Sequence, residues 1–208
     1  MLAPIVLQAR WYKVNIIKSV VVSIPLTTIG TIGTLLLFYI ESDGRIGGTS
    51  FYGAVFFVPV AFLPLSSLLR IKYSELMDLC APAECAMLVV MKMRCLLSGC
   101  CEGRVLYTND IGTQVRFPSQ IVEMVIAILL CVVLLIIAHN KKSHGSIYPW
   151  YMILYGATRF ILNIFREEWV ASDMILPYGN IWSLVSLAIG IISLIIINKK
   201  KKTETQVV

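Results

Sequence analysis

Charge is scarce in this sequence: 14% of its 208 residues are Asp, Glu, Lys or Arg, against 58% hydrophobic, and the mean hydropathy is +0.81. A chain with so little polar surface to offer water lies outside the composition of soluble domains, so an aqueous globular enzyme is excluded. Histidine is scarcer, with His139 and His144 as the two copies, and no Ser, Cys and His constellation for an internal nucleophile stands out. There is no repeat with a period of about 20 to 50 residues, no soluble domain, and no low-complexity segment beyond Lys199 to Lys202. The half-repeat and paired broken helices of a transporter are also missing. No cleavable signal peptide is expected, because residues 2–18 are too polar and the first apolar run is long enough to remain as an anchor.

What the chain does have is apolar length. Six runs reach, or nearly reach, the roughly 20 residues a helix needs to cross hydrocarbon: 16–40, 51–69, 76–97, 121–138, 147–165 and 181–197. The third is interrupted by Asp78, Glu84, Lys92 and Arg94. The expectation is an all-α polytopic membrane helix bundle of about six transmembrane helices. It forms a single domain over 1–208, with an outer loop at 98–120 and a cytoplasmic tail at 198–208. Basic residues set the orientation. With the N-terminus cytoplasmic, Arg10, Lys13, Lys18, Arg70, Lys72, Lys141, Lys142 and Lys199 to Lys202 all fall inside, and an even number of spans returns the C-terminus there.

The other cations, Arg45, Lys92, Arg94, Arg104, Arg116, Arg159 and Arg166, fall in outer loops or inside helices, and all but one are arginine. Topology needs only charge, whereas a planar guanidinium fork suits bidentate contact with phosphate or carboxylate. The outer half therefore reads as an anion site. The net charge of +6 calls for no nucleic acid, since cytoplasmic lysines beside anionic lipid account for much of it.

Three segments carry candidate residues. In "YGATRFILNIFREEW", Tyr155, Arg159, Asn163 and Arg166 are spaced by four, four and three residues. At about 100° per residue they form one polar stripe on an otherwise apolar helix. Arg159 lies about two turns deeper than Arg166, too deep to be explained by snorkelling alone. In "RFPSQIVEM", Gln120 and Glu123 share a face of the opening helix. A capping arrangement explains Ser119 and Glu123 without chemistry, or else Glu123 pairs with a cation, for which Arg159 is the candidate. In "ESDGRIGGTSFYGA", Gly47 and Gly48 are either a flexible outer turn or a place where backbone N–H groups approach an anion.

Of the six cysteines, Cys100 and Cys101 are adjacent on the expected outer side, with Cys95 nearby. They read as small packing residues, with a redox pair as the alternative. A metal site is not expected, because both histidines lie on the inner side and cannot complete it. No cofactor is expected.

In order, "GGTSFYGA", "SGCCEGR", "RFPSQIVE" and "YGATRFILNIFRE" resemble the prolipoprotein diacylglyceryl transferase family, from about Gly47 to Ser183. The resemblance implies transfer of diacylglycerol from phosphatidylglycerol to the cysteine thiol of a prolipoprotein lipobox peptide. The reaction would take place at the outer face of the bacterial cytoplasmic membrane and release glycerol phosphate. It puts Arg159 at the family's essential arginine, with Arg166 as its helper, Arg116 and Gln120 in the "RxPSQ" motif followed by Glu123, and Gly103 and Arg104 at the closing "GR". Tyr52 stands where the family has a histidine, with an orienting or activating role. The usual "GRxGNFxNxExxG" reads "MKMRCLLSGCCEG", so Lys92 replaces its arginine with Arg94 close by, while Cys95, Ser98 and Cys100 replace two asparagines and a glutamate. Tyr155, Asn163, Gly47 and Gly48 complete the expected substrate-binding set. Two other readings remain: a transferase with another acceptor, and a non-catalytic phospholipid-binding accessory protein.

Overall fold

A computed structural model describes residues 2–11, 16–46, 48–110, 112–140, 145–166 and 177–206. Lys13, Gly47, Lys141, Lys142, His144, Glu167 and Glu168 lie outside the described residues. Among those described, seven helices run in the order α1 (Leu2–Trp11), α2 (Ile16–Glu41), α3 (Tyr52–Leu69), α4 (Tyr73–Ser98), α5 (Ser119–Asn140), α6 (Ile147–Asn163) and α7 (Tyr178–Gln206). A hairpin of β1 (Val105–Thr108) and β2 (Gln114–Arg116) sits between α4 and α5.

The molecule is an all-α membrane bundle. Four helices, α2, α3, α5 and α7, are long and apolar enough to cross a bilayer. The exposed surface is studded with large apolar side chains such as Ile24, Val60, Leu68, Val90, Leu129 and Ile192, which suits a hydrocarbon solvent. The other two expected spans depart from that standard for visible reasons: α4 carries Asp78, Glu84 and Lys92 buried within it, and α6 is 17 residues long. Helix α6 ends at Asn163 rather than continuing to 165.

Two elements differ from expectation. Residues 2–11, too polar to span, fold as α1, whose Ile5, Gln8 and Ala9 are fully buried. At ten residues α1 is half the length of a span, so it packs against the bundle rather than crossing. The outer loop at 98–120 contains the hairpin, closed by the turn around Gly112, whose φ of +80° favours glycine.

Close helix packing comes from small residues. A Cβ on Gly33 of α2 would lie 2.7 Å from the Gly53 carbonyl oxygen of α3, and one on Gly156 of α6 would lie 2.9 Å from the Ser183 carbonyl oxygen of α7. Backbones this near gain dispersion contacts that larger side chains would prevent. Prolines inside helices leave carbonyls to satisfy. Pro59 removes the N–H that would have bonded Val55, and the Tyr148 hydroxyl donates to that carbonyl instead at 2.9 Å.

The acidic residues that interrupt α4 also have partners. Asp78 is fully buried, and its carboxylate accepts from the backbone N–H groups of Gly145 (2.6 Å), Ile147 (2.9 Å) and Tyr148 (3.4 Å). It thus caps the N-terminus of α6 from another helix, where the helix dipole favours a negative charge. Glu84, equally buried, lies 3.1 Å from the Tyr148 hydroxyl.

Candidate functional site

Helices α2, α4 and α6 end where α3, α5 and α7 begin, and a cavity of about 290 Å³ opens at that end. Its centre is Glu123, one turn into α5 and buried. Oε2 lies 2.7 Å from Nζ of Lys92 on α4 and 2.5 Å from Nη1 of Arg159 on α6, while Oε1 lies 3.5 Å from Nη1 of Arg166. One carboxylate is thereby shared by cations from two helices and a turn. The pairing of Glu123 with Arg159 expected from sequence is present, and Lys92 and Arg166 join it.

Among the described residues, Lys92, Arg159 and Arg166 bring three cations to the one carboxylate of Glu123. Glu41, held by the Ser50 hydroxyl at 2.9 Å, is the further acid on the cavity wall. Cations gathered at a cavity wall are suited to meeting an anion there. Asn163 adds a donor: it is buried, it lines the cavity, and its Nδ2 has no hydrogen-bond partner among the described residues.

Local geometry explains how Arg166 arrives. Beyond Asn163 the backbone tightens, with N–H groups of Ile164, Phe165 and Arg166 bonding carbonyls three residues back. Arg166 then pairs as a β-bridge with Gly103. A Cβ on Gly103 would lie 2.6 Å from the Phe117 carbonyl oxygen, so glycine permits this close approach of three strands of backbone. The polar stripe of α6 is therefore helical from Tyr155 to Asn163, and Arg166 rejoins it through a turn.

Other expected site residues do not meet here. Arg116 lies by the hairpin, 3.5 Å from Glu102 and bonded to Gln114. Arg104 stacks its guanidinium over the Phe165 ring at 5.3 Å. Arg94, two residues from the inward Lys92, is on the exposed side of α4, and Gly48 packs against the Phe38 ring. None of these, nor Gly103, lines the cavity. Gln120 is buried beside it, but its amide donates to the Cys100 carbonyl at 2.8 Å. Near the start of α5, Gln120 thus satisfies a backbone carbonyl of the preceding loop.

Tyr52 does line the cavity, stacked with Phe56 and beside Tyr155. Its hydroxyl is 2.7 Å from Oγ of Ser183, which in turn donates to the Gly179 carbonyl at 2.7 Å. With the serine proton committed, the phenol donates, and Tyr52 holds α3 to α7. Sequence reasoning missed Glu41, Ser50, Leu88 and Tyr178 on this wall, and Ser183 behind Tyr52. Glu41 and Ser50 both lie in "ESDGRIGGTSFYGA", the outer loop whose glycines had drawn notice.

At the rim, the Sγ atoms of Cys95, Cys100 and Cys101 all lie within 4.8 Å of one another.

The sequence profile of the prolipoprotein diacylglyceryl transferase family matches residues 2–196. Several curated relatives bear the name phosphatidylglycerol-prolipoprotein diacylglyceryl transferase. That of Geobacter sulfurreducens is 25% identical over 166 residues, covering 74% of this chain and 64% of the relative. That of Clostridium tetani is 26% identical over 127 residues, covering 56% and 51%. That of Idiomarina loihiensis is 26% identical over 181 residues, covering 82% and 66%. The chain thus spans between half and two thirds of the length of these three relatives.

Proposed function

Because the chain belongs to the prolipoprotein diacylglyceryl transferase family, we propose that it transfers diacylglycerol from phosphatidylglycerol to the lipobox cysteine thiol of a prolipoprotein. The observation that carries this reading is the convergence of Lys92, Arg159 and Arg166 on the buried Glu123 carboxylate, in a cavity where the Asn163 amide has no partner among the described residues.

The charge chemistry fits. Phosphatidylglycerol presents a phosphodiester with one negative charge, and the departing glycerol phosphate gains a second. Fixed positive charge binds both but stabilises the second more, which lowers the barrier rather than only the affinity. Arg159 is the main neutralising group, with Arg166 and Lys92 beside it. Glu123 holds the three cations in register and Asn163 donates to the headgroup. Tyr52 is a positioning residue. The nucleophile belongs to the peptide.

The six apolar or semi-apolar helices α2 to α7 cross the bilayer with both termini cytoplasmic. Lys18, Arg70 and Lys72 then lie inside and the cavity opens to the outer leaflet. Lys18 donates to the Leu69 carbonyl at 3.2 Å, so the start of α2 and the end of α3 share the cytoplasmic end.

Purified protein, labelled phosphatidylglycerol and a lipobox peptide bearing cysteine or serine test the reading. Label passing to the cysteine peptide alone, and lost in Arg159→Ala, is the expected result. Retained phosphatidylglycerol binding without transfer to any peptide would replace it with the accessory-protein reading, which the engagement of Tyr52 by Ser183 favours.

A further inference from the structure

The three clustered thiols at the cavity rim are placed by backbone geometry. Helix α4 ends in a Schellman motif: Gly99 has φ +64°, its N–H bonds the Leu96 carbonyl, and the Cys100 N–H bonds the Cys95 carbonyl at 3.1 Å. A reversal of this kind folds a residue five positions on back over the last turn, so the Cys95 to Cys100 spacing brings the two sulfurs together. Cys101 follows with φ +62°, a left-handed conformation that is uncommon away from glycine, asparagine and aspartate. Two hydrogen bonds from the first turn of α5 hold this segment: the Ser119 hydroxyl to the Cys101 carbonyl at 2.6 Å and the Gln120 amide to the Cys100 carbonyl at 2.8 Å. Strain and anchoring together keep three thiols in one small triangle.

We propose that Cys95, Cys100 and Cys101 form a three-thiolate site for a thiophilic divalent cation of the zinc class, with its fourth position open to the cavity. A zinc–thiolate bond is about 2.3 Å, so sulfurs sharing one tetrahedral ion sit about 3.8 Å apart. A triangle no wider than 4.8 Å closes onto an ion by small side-chain rotations, which the exposed Cys100 and Cys101 are free to make. Sulfur donors select against magnesium and calcium. Three thiolates around a divalent ion carry one net negative charge, and Lys92, one turn before Cys95 on the same helix, supplies cations on the cavity side. Cys95 and Cys101 line the cavity. Three protein ligands with an exchangeable fourth position is the arrangement of a working rather than a structural site.

Resting on the proposed transferase reading, the fourth ligand is the acceptor thiol. It binds as thiolate and releases its proton to water. Its sulfur then forms a bond to the terminal glycerol carbon as the carbon–oxygen bond to phosphate breaks, and the bonding pair leaves on glycerol phosphate. This route to a thiolate asks no proton transfer of Tyr52, whose hydroxyl is engaged.

The test is cobalt titration of the reduced, metal-stripped protein in detergent, with zinc competition. Thiolate-to-cobalt charge-transfer absorption at one ion per chain is expected. It should be displaced by zinc, lost in Cys95→Ser and Cys101→Ser, and kept in Cys80→Ser, whose thiol is buried elsewhere. Absence of the charge-transfer band while thiol titration counts the three cysteines as free overturns the site, as does a disulfide among them that persists under reducing conditions. Adding the cysteine lipobox peptide should shift the cobalt ligand-field bands, and the serine peptide should not. Unchanged bands with both peptides, or full transfer by Cys95→Ser, overturn the acceptor role. Metal binding with no transfer by any form would instead refute the transferase reading and leave the site standing.

Discussion

Two clusters of buried acids sit at opposite ends of the bundle, and they are stabilised in different ways. At the far end, Asp78 is met by three backbone N–H groups and Glu84 by a tyrosine hydroxyl. At the cavity end, Glu123 is met by three side-chain cations. Backbone dipoles stabilise Asp78 without supplying a countercharge, and they join α4 to α6. At Glu123 the partners are charged side chains from two helices and a turn, and beside them is an open volume of about 290 Å³. Dipoles from one helix end can only hold a carboxylate in place, whereas side-chain cations beside a cavity are also within reach of what enters it.

The largest expected effect is at Arg159. Arg159→Ala should lower transfer at least about a hundredfold, the scale of losing one preorganised charge-stabilising group. Arg159→Lys should fall nearly as far, because an ammonium lacks the bidentate fork. Rates measured with labelled phosphatidylglycerol check both, and near-normal transfer by the lysine variant would remove Arg159 from its role.

Next is Glu123→Gln, which leaves three cations with no carboxylate. Breaking a buried ion pair costs about 3–5 kcal/mol, so thermal unfolding in detergent should shift sharply downward. Added phosphatidylglycerol should recover part of the loss. Equal stability with and without that lipid would deny the cations a ligand.

Asp78→Asn should destabilise by about 1–3 kcal/mol, the cost of leaving buried backbone donors poorly satisfied. Transfer per folded molecule should stay near that of the parent. A selective loss of turnover would collapse the distinction between the two ends. Smallest is Arg116→Ala: the Arg116 to Glu102 pair is partly exposed at 3.5 Å, so it should change stability by less than about 1 kcal/mol. A large drop in lipid affinity there would return Arg116 to the binding set.

Legibility from sequence varied by element. The apolar runs of α2, α3, α5 and α7 were plain, since a span needs only length and composition. The stripe Tyr155, Arg159, Asn163 was plain from periodicity on α6. Lys92 could be aligned by its charge, but its inward direction could not be separated from that of Arg94 two residues on. One residue of helix rotation is about 100°, and only packing fixes the absolute angle. Arg104 and Arg116 looked equivalent to Arg166 as outer cations. The hairpin turned the first two onto Phe165 and Glu102, and the Gly103 bridge drew the third inward.

The cysteines show the same division. Six were countable, and a metal was set aside for want of histidine. A helix terminus that reverses direction through Gly99 was what brought three sulfurs within 4.8 Å. Composition and periodicity determined that this chain lies in a membrane and buries arginine, because transfer energies and helical repeat are local properties of the residues. Which cations share Glu123, and which lie by the hairpin instead, was decided by the tertiary structure, because charge pairing depends on distances of a few ångströms between segments far apart in the chain.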